Sequence, residues 1–263
     1  MANYLVTGAG GDFGSRIVAN IRSQGHNTIG TNRSDADLSE MAEINRFADR
    51  VLTQVDSLDG LVLNAGVAPK SPELSSEGFE RTFAVNHLGG LLLAHRLLPL
   101  LEKSENSRIV LVGSSDHLAV RTVDMEALVE GANFRTTSAY AASKAVAMAS
   151  MLEMARRLRG RVRINIADPG WARTGLHRQA SIPIRILLTL GRPLQNTPDV
   201  SAKVITDLAV AFDSHGAYVG RKGPAKLSKL VEDSAFQSRC YEDTAAILVK
   251  RGLATLGTFL PAT

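Results

Sequence analysis

The sequence predicts an α/β fold, a doubly wound parallel sheet of about seven strands with helices on both faces. Short apolar runs alternate with amphipathic stretches along the 263 residues, a pattern typical of parallel strands joined by crossover helices. No internal repeat, low-complexity segment or flexible linker interrupts this pattern. We therefore expect residues 1–263 to form a single domain, since this length leaves no room for a separate substrate domain.

The apolar runs predict the strands, and the stretches with helical periodicity predict the helices. Ile17, Val18 and Ile21, for example, mark the apolar face of the first helix. The predicted strands cover residues 4–6, 27–32, 61–63, 109–112, 162–166 and 217–219. The predicted helices cover residues 14–24, 41–55, 77–101, 138–159 and 198–212.

The segment 7–14, Thr-Gly-Ala-Gly-Gly-Asp-Phe-Gly, connects the first strand to the first helix. Glycines at such a junction permit a tight turn and let the backbone approach a pyrophosphate, while the helix N-terminus presents free N–H groups. This context predicts a Rossmann-type loop for a dinucleotide. The predicted phosphate-binding residues are Gly8, Gly10, Gly11, Asp12, Phe13 and Gly14.

The loop resembles that of the short-chain dehydrogenase/reductase family. The commoner members carry T-G-x-x-x-G-x-G, which this chain matches at Thr7, Gly8 and Gly14 but not at Asp12. The form found in the longer members, T-G-x-x-G-x-x-G, is matched in full through Gly11. An aspartate beside a pyrophosphate is repelled unless it turns outward, so this departure bears on cofactor affinity.

A tyrosine and a lysine four residues apart, Tyr140 and Lys144, share one face of the predicted helix 138–159. A free tyrosine has a pKa of about 10, which is too high for efficient acid–base catalysis near neutrality. A neighbouring ammonium can lower that pKa by roughly 1–3 units, toward the range in which general acid–base catalysis is most effective. Because this spacing also arises by chance on helices, the surrounding motifs decide whether Tyr140 and Lys144 are interpreted as a catalytic pair.

The other motifs lie where an open parallel sheet binds its ligands, beyond the carboxyl ends of strands. The run 64–66, Asn-Ala-Gly, ends one predicted strand, Ser114 follows the next, and the run 168–174, Asp-Pro-Gly-Trp-Ala-Arg-Thr, follows a third. Asn86 lies inside the long predicted helix between the first two. In this order and spacing, the chain resembles the short-chain dehydrogenase/reductase family from residue 4 to about 175, and more weakly to about 229.

The resemblance implies a role for each catalytic residue. Tyr140 gives or takes the proton, and Lys144 lowers its pKa and holds the nicotinamide ribose. Ser114 positions the substrate oxygen, with Ser115 as the competing candidate, and Asn86 anchors a water chain to Lys144. The other implied cofactor contacts are Asn64, Ala65 and Gly66 on the adenosine side and Pro169, Gly170 and Thr174 at the nicotinamide carboxamide. Ser143 is interpreted as structural.

The end of the second predicted strand bears on which nicotinamide cofactor is used. NAD-preferring members place an acidic residue about 20 residues beyond the glycine loop, where this chain has the neutral Asn32. The next residue, Arg33, can form charge-assisted bonds with a 2′-phosphate, although Asp35 offsets part of its field. Asp37 and Leu38 are expected against the adenine. We therefore predict a preference for NADP(H), with NAD(H) also possible.

The substrate side resembles the subgroup that contains the retinol dehydrogenases, through the Ser-x-x-His motif ending at His117 and the long separation of Ser114 from Tyr140. This analogy identifies no substrate. His117 lies near the predicted mouth of the site, and both substrate contact and loop structure remain open for it. Residues 175–197 are too apolar for a bare surface loop. We expect them to cover an apolar pocket, and a buried or subunit-contacting helix is the other interpretation.

Composition excludes several classes of function. The net charge of +4 comes without a long basic run, which argues against a nucleic-acid partner. No spacing of His, Cys and carboxylates indicates a metal site. The most apolar run, 88–101, contains His95, Arg96 and Pro99, so no integral membrane segment is expected. The lone Cys240 and the absence of a signal peptide favour a cytoplasmic location.

These observations predict hydride transfer between NAD(P)(H) and the carbonyl or alcohol carbon of a small, apolar molecule. The resemblance implies a homodimer or homotetramer paired through helices 77–101 and 138–159. One rival is a cofactor-binding sensor without catalysis, which Asp12 supports and the complete set of catalytic residues opposes. The other rival, suggested by the glycine spacing, is an epimerase or dehydratase, which needs a C-terminal substrate domain.

Overall fold

A computed structural model of the chain describes residues 1–170 and 196–259, except the side chain of Leu256. Its strands are β1 Asn3–Thr7, β2 Asn27–Thr31, β3 Gly60–Leu63, β4 Arg108–Val112, β5 Arg163–Ala167, β6 Ala217–Gly220 and β7 Gly223–Pro224. The first helices are α1 Gly14–Ser23, α2 Met41–Gln54 and α3, which joins Arg81–Phe83, a π-helical Ala84–Leu88 and Gly89–Leu101. They are followed by α4 Met125–Glu130, α5 Thr136–Leu158, α6 Pro198–Val210, α7 Lys229–Glu232 and α8 Ser234–Lys250.

The described strands form one sheet in the order β2-β1-β3-β4-β5-β6-β7. The first six are parallel, and the two-residue β7 runs antiparallel to β6. This confirms the predicted doubly wound sheet, although the sequence did not locate its seventh strand. The chain order reverses between β1 and β3, so a crevice opens beyond their carboxyl ends, where such sheets bind ligands.

Alternate residues of each central strand supply two separate cores, one on each face of the sheet. Leu5 of β1 is fully buried in the larger core, which α2, α3, α5 and α8 share. Its neighbours Tyr4 and Val6 pack in the smaller core with Ile17 of α1 and Ile205 of α6. Burying one such aliphatic side chain stabilises the fold by about 1.5–3 kcal/mol, which explains why these strands are apolar on both sides.

The long helix begins at Arg81. The sequence predicts its start four residues earlier, at residue 77. Glu80 has an extended backbone, and its carboxylate accepts hydrogen bonds from the N–H groups of Thr82 and Phe83. A side chain that satisfies these otherwise unpaired N–H groups fixes the start of a helix. The π-helical turn that follows contains Asn86, and such turns are frequent at functional sites.

The C-terminal helix α8 is absent from the sequence prediction, yet it packs along α5 and contacts α3. Tyr241 and Leu248 are buried in this contact. The Tyr241 hydroxyl lies 3.0 Å from Nε2 of His95, and the Thr244 hydroxyl lies 2.7 Å from Nε2 of His87. Of the two helices through which the resemblance implies pairing, α5 thus packs against α8 of the same chain, and α3 contacts α8 at His87 and His95.

Candidate active site and cofactor cleft

A cleft of about 820 Å³ opens at the carboxyl ends of β1 and β3 and reaches past β4. Fifteen predicted site residues line it: Gly8, Gly10, Gly11, Asp12, Phe13, Asn32, Arg33, Asp37, Leu38, Asn64, Ala65, Gly66, Tyr140, Lys144 and Pro169. Gly14, Asn86, Ser114 and Gly170 are not among its lining residues. Residues 171–195 lie outside the described residues. They include Trp171, Thr174 and all but the last two residues of the predicted covering segment 175–197.

Some lining residues were not predicted. Most of them adjoin predicted residues in the chain, but Glu73 and Arg81 come from the stretch between β3 and the body of α3. No motif of the sequence analysis includes either residue, so their approach to the cleft depends on the tertiary fold. The unpredicted residues are Thr31, Ala36, Val67, Ala68, Pro69, Glu73, Arg81, Val85, Val112 and Gly113.

The glycine loop packs closely against the start of α1. A Cβ atom at Gly14 would lie 2.0 Å from the carbonyl oxygen of Gly8, and Gly8 itself has a φ of +64°. Both positions therefore require glycine. The amide of Gly10 donates a 2.6 Å hydrogen bond to Oδ1 of Asn32, which holds the loop against the end of β2. Asp12 lines the cleft, and its carbonyl oxygen accepts a hydrogen bond from Arg16.

Thr7 and Asn64 join the ends of β1 and β3 beneath this loop. The Thr7 hydroxyl accepts hydrogen bonds from the amides of Asn64 at 2.9 Å and Ala65 at 3.0 Å. The Asn64 side chain donates to the carbonyl oxygens of Thr7 at 2.8 Å and Gly8 at 3.2 Å. Asn64 thus lines the cleft, and its side chain also holds the glycine loop through Thr7 and Gly8.

Charged groups of both signs lie at the β2 end of the cleft. The exposed Arg33 guanidinium is 2.8 Å from Oδ2 of Asp37, and Arg81 is 3.7 Å from the same oxygen. Although burial acts to raise it, hydrogen bonds from Ser39 and Arg33 hold the pKa of Asp37 below its usual value. Asp35 is turned onto the backbone, where its carboxylate accepts from the amide of Asn32. This end therefore offers two guanidinium groups, both already paired with carboxylates.

The predicted catalytic residues converge at the other end of the cleft. Helix α5 places Nζ of Lys144 5.9 Å from the ring centre of Tyr140. The ammonium donates a 2.8 Å hydrogen bond to the carbonyl oxygen of Val112, at the end of β4. Ser114 follows two residues later, and its hydroxyl oxygen accepts from the amide of Asp116 at 3.2 Å. That bond leaves the Ser114 proton for a partner at the site.

Burial controls the titration of this pair. It raises the pKa of Tyr140 to about 12, the Ser114 hydroxyl acts in the opposite direction, and the Asp116 carboxylate adds to the rise. Burial also lowers the pKa of Lys144 to about 8, against the effect of Asp116. The net pKa of Tyr140 therefore lies above its ordinary value and not below it, because desolvation of the phenolate is the largest effect. At neutral pH Tyr140 holds its proton.

Asn86 connects the π-helical turn of α3 to α5. Its side chain accepts from the amide of Val67 at 2.8 Å and donates to the carbonyl oxygen of Val67 at 3.0 Å. It also donates to the Ser143 hydroxyl at 3.0 Å, which in turn donates to the carbonyl oxygen of Tyr140 at 2.8 Å. Ser143, interpreted from sequence as structural, thus links Asn86 to the tyrosine backbone.

The cleft has the parts that a nicotinamide dinucleotide requires. Gly8 and Gly14 bring the backbone close to the position of a pyrophosphate at the start of α1. A Cβ atom at Gly66 would stand 3.5 Å from Nζ of Lys144, so glycine leaves room beside the ammonium. Tyr140 and Lys144 lie at the end of the cleft away from Asn32 and Arg33, where the resemblance implies the nicotinamide.

Within residues 1–170 and 196–259, no group of three or more His, Cys, Asp or Glu side chains could hold a metal ion. No described helix is long and apolar enough to cross a membrane.

A family model described as short chain dehydrogenase matches residues 34–183. Mouse (Mus musculus) retinol dehydrogenase 14 is 33% identical over 213 residues, covering 78% of this chain and 62% of that protein. Human (Homo sapiens) retinol dehydrogenase 13 is 33% identical over 82% of this chain and 68% of its own length. Mouse polyprenol dehydrogenase is 32% identical over 91% of this chain and 74% of that protein.

A solved structure shares the fold. The 3-alpha-hydroxysteroid dehydrogenase from Pseudomonas sp. B-0831, in complex with NADH, superposes with a TM-score of 0.70 at 26% identity. The superposition covers 83% of this chain and 94% of that one.

Proposed function

Because the chain belongs to the short-chain dehydrogenase/reductase family of nicotinamide-dependent oxidoreductases, we propose that it interconverts a carbonyl compound and its alcohol. The observation that carries this proposal is the position of Tyr140 and Lys144 at one end of a cleft that fits a dinucleotide, with the Ser114 hydroxyl beside Tyr140. The relatives named retinol dehydrogenases confirm the predicted resemblance to that subgroup.

The residues of the chain supply binding, orientation and a proton. When bound, the nicotinamide cofactor gives or accepts the hydride at the carbonyl or alcohol carbon. In the reductive direction Tyr140, protonated at neutral pH, donates its proton to the carbonyl oxygen. Ser114 donates a hydrogen bond to that oxygen, and Lys144 holds the ribose. Asn86 bonds to the backbone of Val67 and to the Ser143 hydroxyl. These bonds hold the segment after β3 against α5, which carries Lys144.

We propose that the substrate is a small, apolar alcohol or its aldehyde or ketone. Support comes from the names of the relatives, which are retinol and polyprenol dehydrogenases, and from the apolar residues predicted to cover the site at 175–197. The covering segment remains a prediction, to be tested by hydrogen exchange with and without ligand.

The test is consumption of NADPH or NADH with a panel of apolar aldehydes and ketones, retinal included. Carbonyl-dependent oxidation of the cofactor supports the proposal. Tight cofactor binding without turnover of any substrate would instead support the sensor that lacks catalysis. An epimerase or dehydratase would convert its substrate with no net change in the cofactor.

We further propose that NADP(H) is preferred and that Arg33 is responsible. The Arg33 side chain is 69% exposed at the β2 end of the cleft, Asn32 is neutral, and Arg81 adds a second guanidinium. The measurement is kcat/KM for NADPH and NADH in the parent and in Arg33→Ala, with the distant surface change Arg161→Ala as control. Loss of the NADPH preference in Arg33→Ala alone is expected. Equal or better use of NADH by the parent would refute the preference.

The predicted homodimer or homotetramer and the cytoplasmic location remain predictions. Because α8 packs along α5 and contacts α3, we propose that any assembly uses a face of the molecule that does not include α3, α5 or α8. Light scattering of the purified chain tests the assembly. If substitutions at Glu242 or Asp243 on the surface of α8 dissociated an oligomer, the proposed position of the assembly face would be contradicted.

A further inference from the structure

We propose that His117 is a positioning residue that fixes the catalytic serine, Ser114, to the C-terminal part of the chain. This inference rests on the proposed function, since it gives Ser114 its role at the substrate oxygen. It concerns a residue whose sequence position alone left substrate contact and loop structure equally open.

The hydrogen bonds of His117 determine its tautomer. Nε2 lies 3.1 Å from the backbone amide of Ser228, and an amide can only donate, so Nε2 carries no proton. Nδ1 lies 2.6 Å from the carbonyl oxygen of Ser114, and a carbonyl can only accept, so Nδ1 carries the proton. A neutral imidazole therefore satisfies both partners at once.

His117 has no exposed surface through which to contact a substrate. Its relative exposure is 0%, and the ring of Tyr218 from β6 packs edge-on against it, with the centres 5.5 Å apart. A fully enclosed ring with two backbone partners is a support for the loop. The structure thus favours the structural interpretation of His117 over substrate contact.

The partner on the far side of His117 is itself fixed. Ser228 precedes helix α7, and its hydroxyl oxygen accepts from the amide of Val231 at 3.2 Å. Val231 is fully buried in the larger core. The imidazole therefore connects the catalytic loop to a rigid point more than a hundred residues away in the chain.

The position of Ser114 depends on this connection. Ser114 is the residue before the short 3₁₀ turn Ser115–Ala119, and its hydroxyl oxygen accepts from the amide of Asp116. Its carbonyl oxygen accepts from the His117 ring, besides a longer bond of 3.4 Å from the His117 amide. Without the ring, the backbone of Ser114 keeps, among the described residues, only the longer bond from the His117 amide at this carbonyl oxygen. Misplacement of a catalytic group by about 1 Å can reduce a rate by about 100-fold.

Two substitutions separate the two hydrogen bonds. The amide of His117→Asn reaches the position of Nδ1 and can still donate to the Ser114 carbonyl oxygen. The amide of His117→Gln reaches the position of Nε2 and can accept only from Ser228. If the ring acts through Ser114, kcat of His117→Gln falls at least about tenfold below that of His117→Asn. The Kd for NADPH and the melting temperature are measured on both variants to detect general damage.

A double-variant cycle tests the same coupling. In a Ser114→Ala background, His117→Gln has no serine hydroxyl left to misplace and causes no further loss of kcat. Equal losses of kcat in the Asn and Gln variants, or losses that add to that of Ser114→Ala, would overturn the proposal and leave a general packing role.

A measurement on the parent protein needs neither activity nor a variant. The ¹⁵N chemical shifts of the imidazole identify the tautomer. We expect a neutral ring protonated at Nδ1, with a slowly exchanging proton. Protonation at Nε2 would overturn the inference even if the enzyme is active, and the expected tautomer would stand even if the proposed reaction failed.

Discussion

Acid is expected to destabilise this protein through two buried histidines of α3. His87 and His95 are 2% and 4% exposed, and both bond to hydroxyl groups of α8. Burial lowers the pKa of His87 to about 3. Burial, with a smaller effect of Arg157, lowers that of His95 to about 3. Both rings are therefore neutral in the folded state throughout the mildly acidic range.

The sign and size of the effect follow from proton linkage. In the unfolded chain each histidine titrates near its usual pKa of 6.5, so below that pH the unfolded state binds more protons than the folded state. The free energy of unfolding then falls as the pH falls from about 6.5 toward 3. At pH 5.0 the loss is about 2 kcal/mol for each histidine. Two histidines together remove about 4 kcal/mol from a typical total of 5–15 kcal/mol.

The assay is urea denaturation of the parent, His87→Gln and His95→Gln at pH 7.5 and pH 5.0. The values at pH 7.5 measure the loss of packing, because the histidines are then largely neutral in both states. Between the two pH values, each variant is expected to lose about 2 kcal/mol less than the parent. If both variants lost as much as the parent on acidification, buried histidines would not be the source of the acid sensitivity.

Two further substitutions test the loop and the packing of α8. Gly14→Ala introduces a Cβ atom 2.0 Å from the Gly8 carbonyl oxygen, so it should lower the melting temperature and weaken NADPH binding in a fluorescence titration. Gly90→Ala, whose Cβ would make ordinary contacts at 3.7 Å, is the control, and equal behaviour of the two would contradict the packing described. Leu248→Ala should lower the free energy of unfolding by about 2–5 kcal/mol, as burial in a core implies. A loss below about 1 kcal/mol in urea denaturation would show that α8 is not firmly docked.

The sequence predicts the central strands well because both of their faces are buried. Runs such as 61–63 are apolar at every position, and the structure places β3 at Gly60–Leu63. The antiparallel β7, Gly223–Pro224, has two residues and no apolar run, so no periodicity could reveal it. Helix α8 has a partly polar buried stripe that includes Tyr241 and Thr244, which weakened its apolar signal. Its spacing could nevertheless have identified it.

In the candidate site, too, some features follow from local sequence and others depend on segments that are distant in the chain. Residues in the glycine loop and the Tyr140–Lys144 pair follow from local sequence, since their spacing on the loop or the helix face brings them together. The raised pKa of Tyr140 could not be predicted, because it depends on burial by distant segments. The approach of Arg81 to the cleft depends on its contact with Asp37, in the loop after β2. The partners of His117 come from across the chain.

Turnover by Tyr140→Phe is the most direct test of the proposed function. The substitution keeps the ring, which is 8% exposed, and removes the hydroxyl that donates the proton. With a substrate on which the parent is active, kcat is expected to fall by about 10²–10⁴-fold, while the Kd for NADPH and the melting temperature change little. Turnover by Tyr140→Phe close to that of the parent would contradict the account, because the proton would then come from another group.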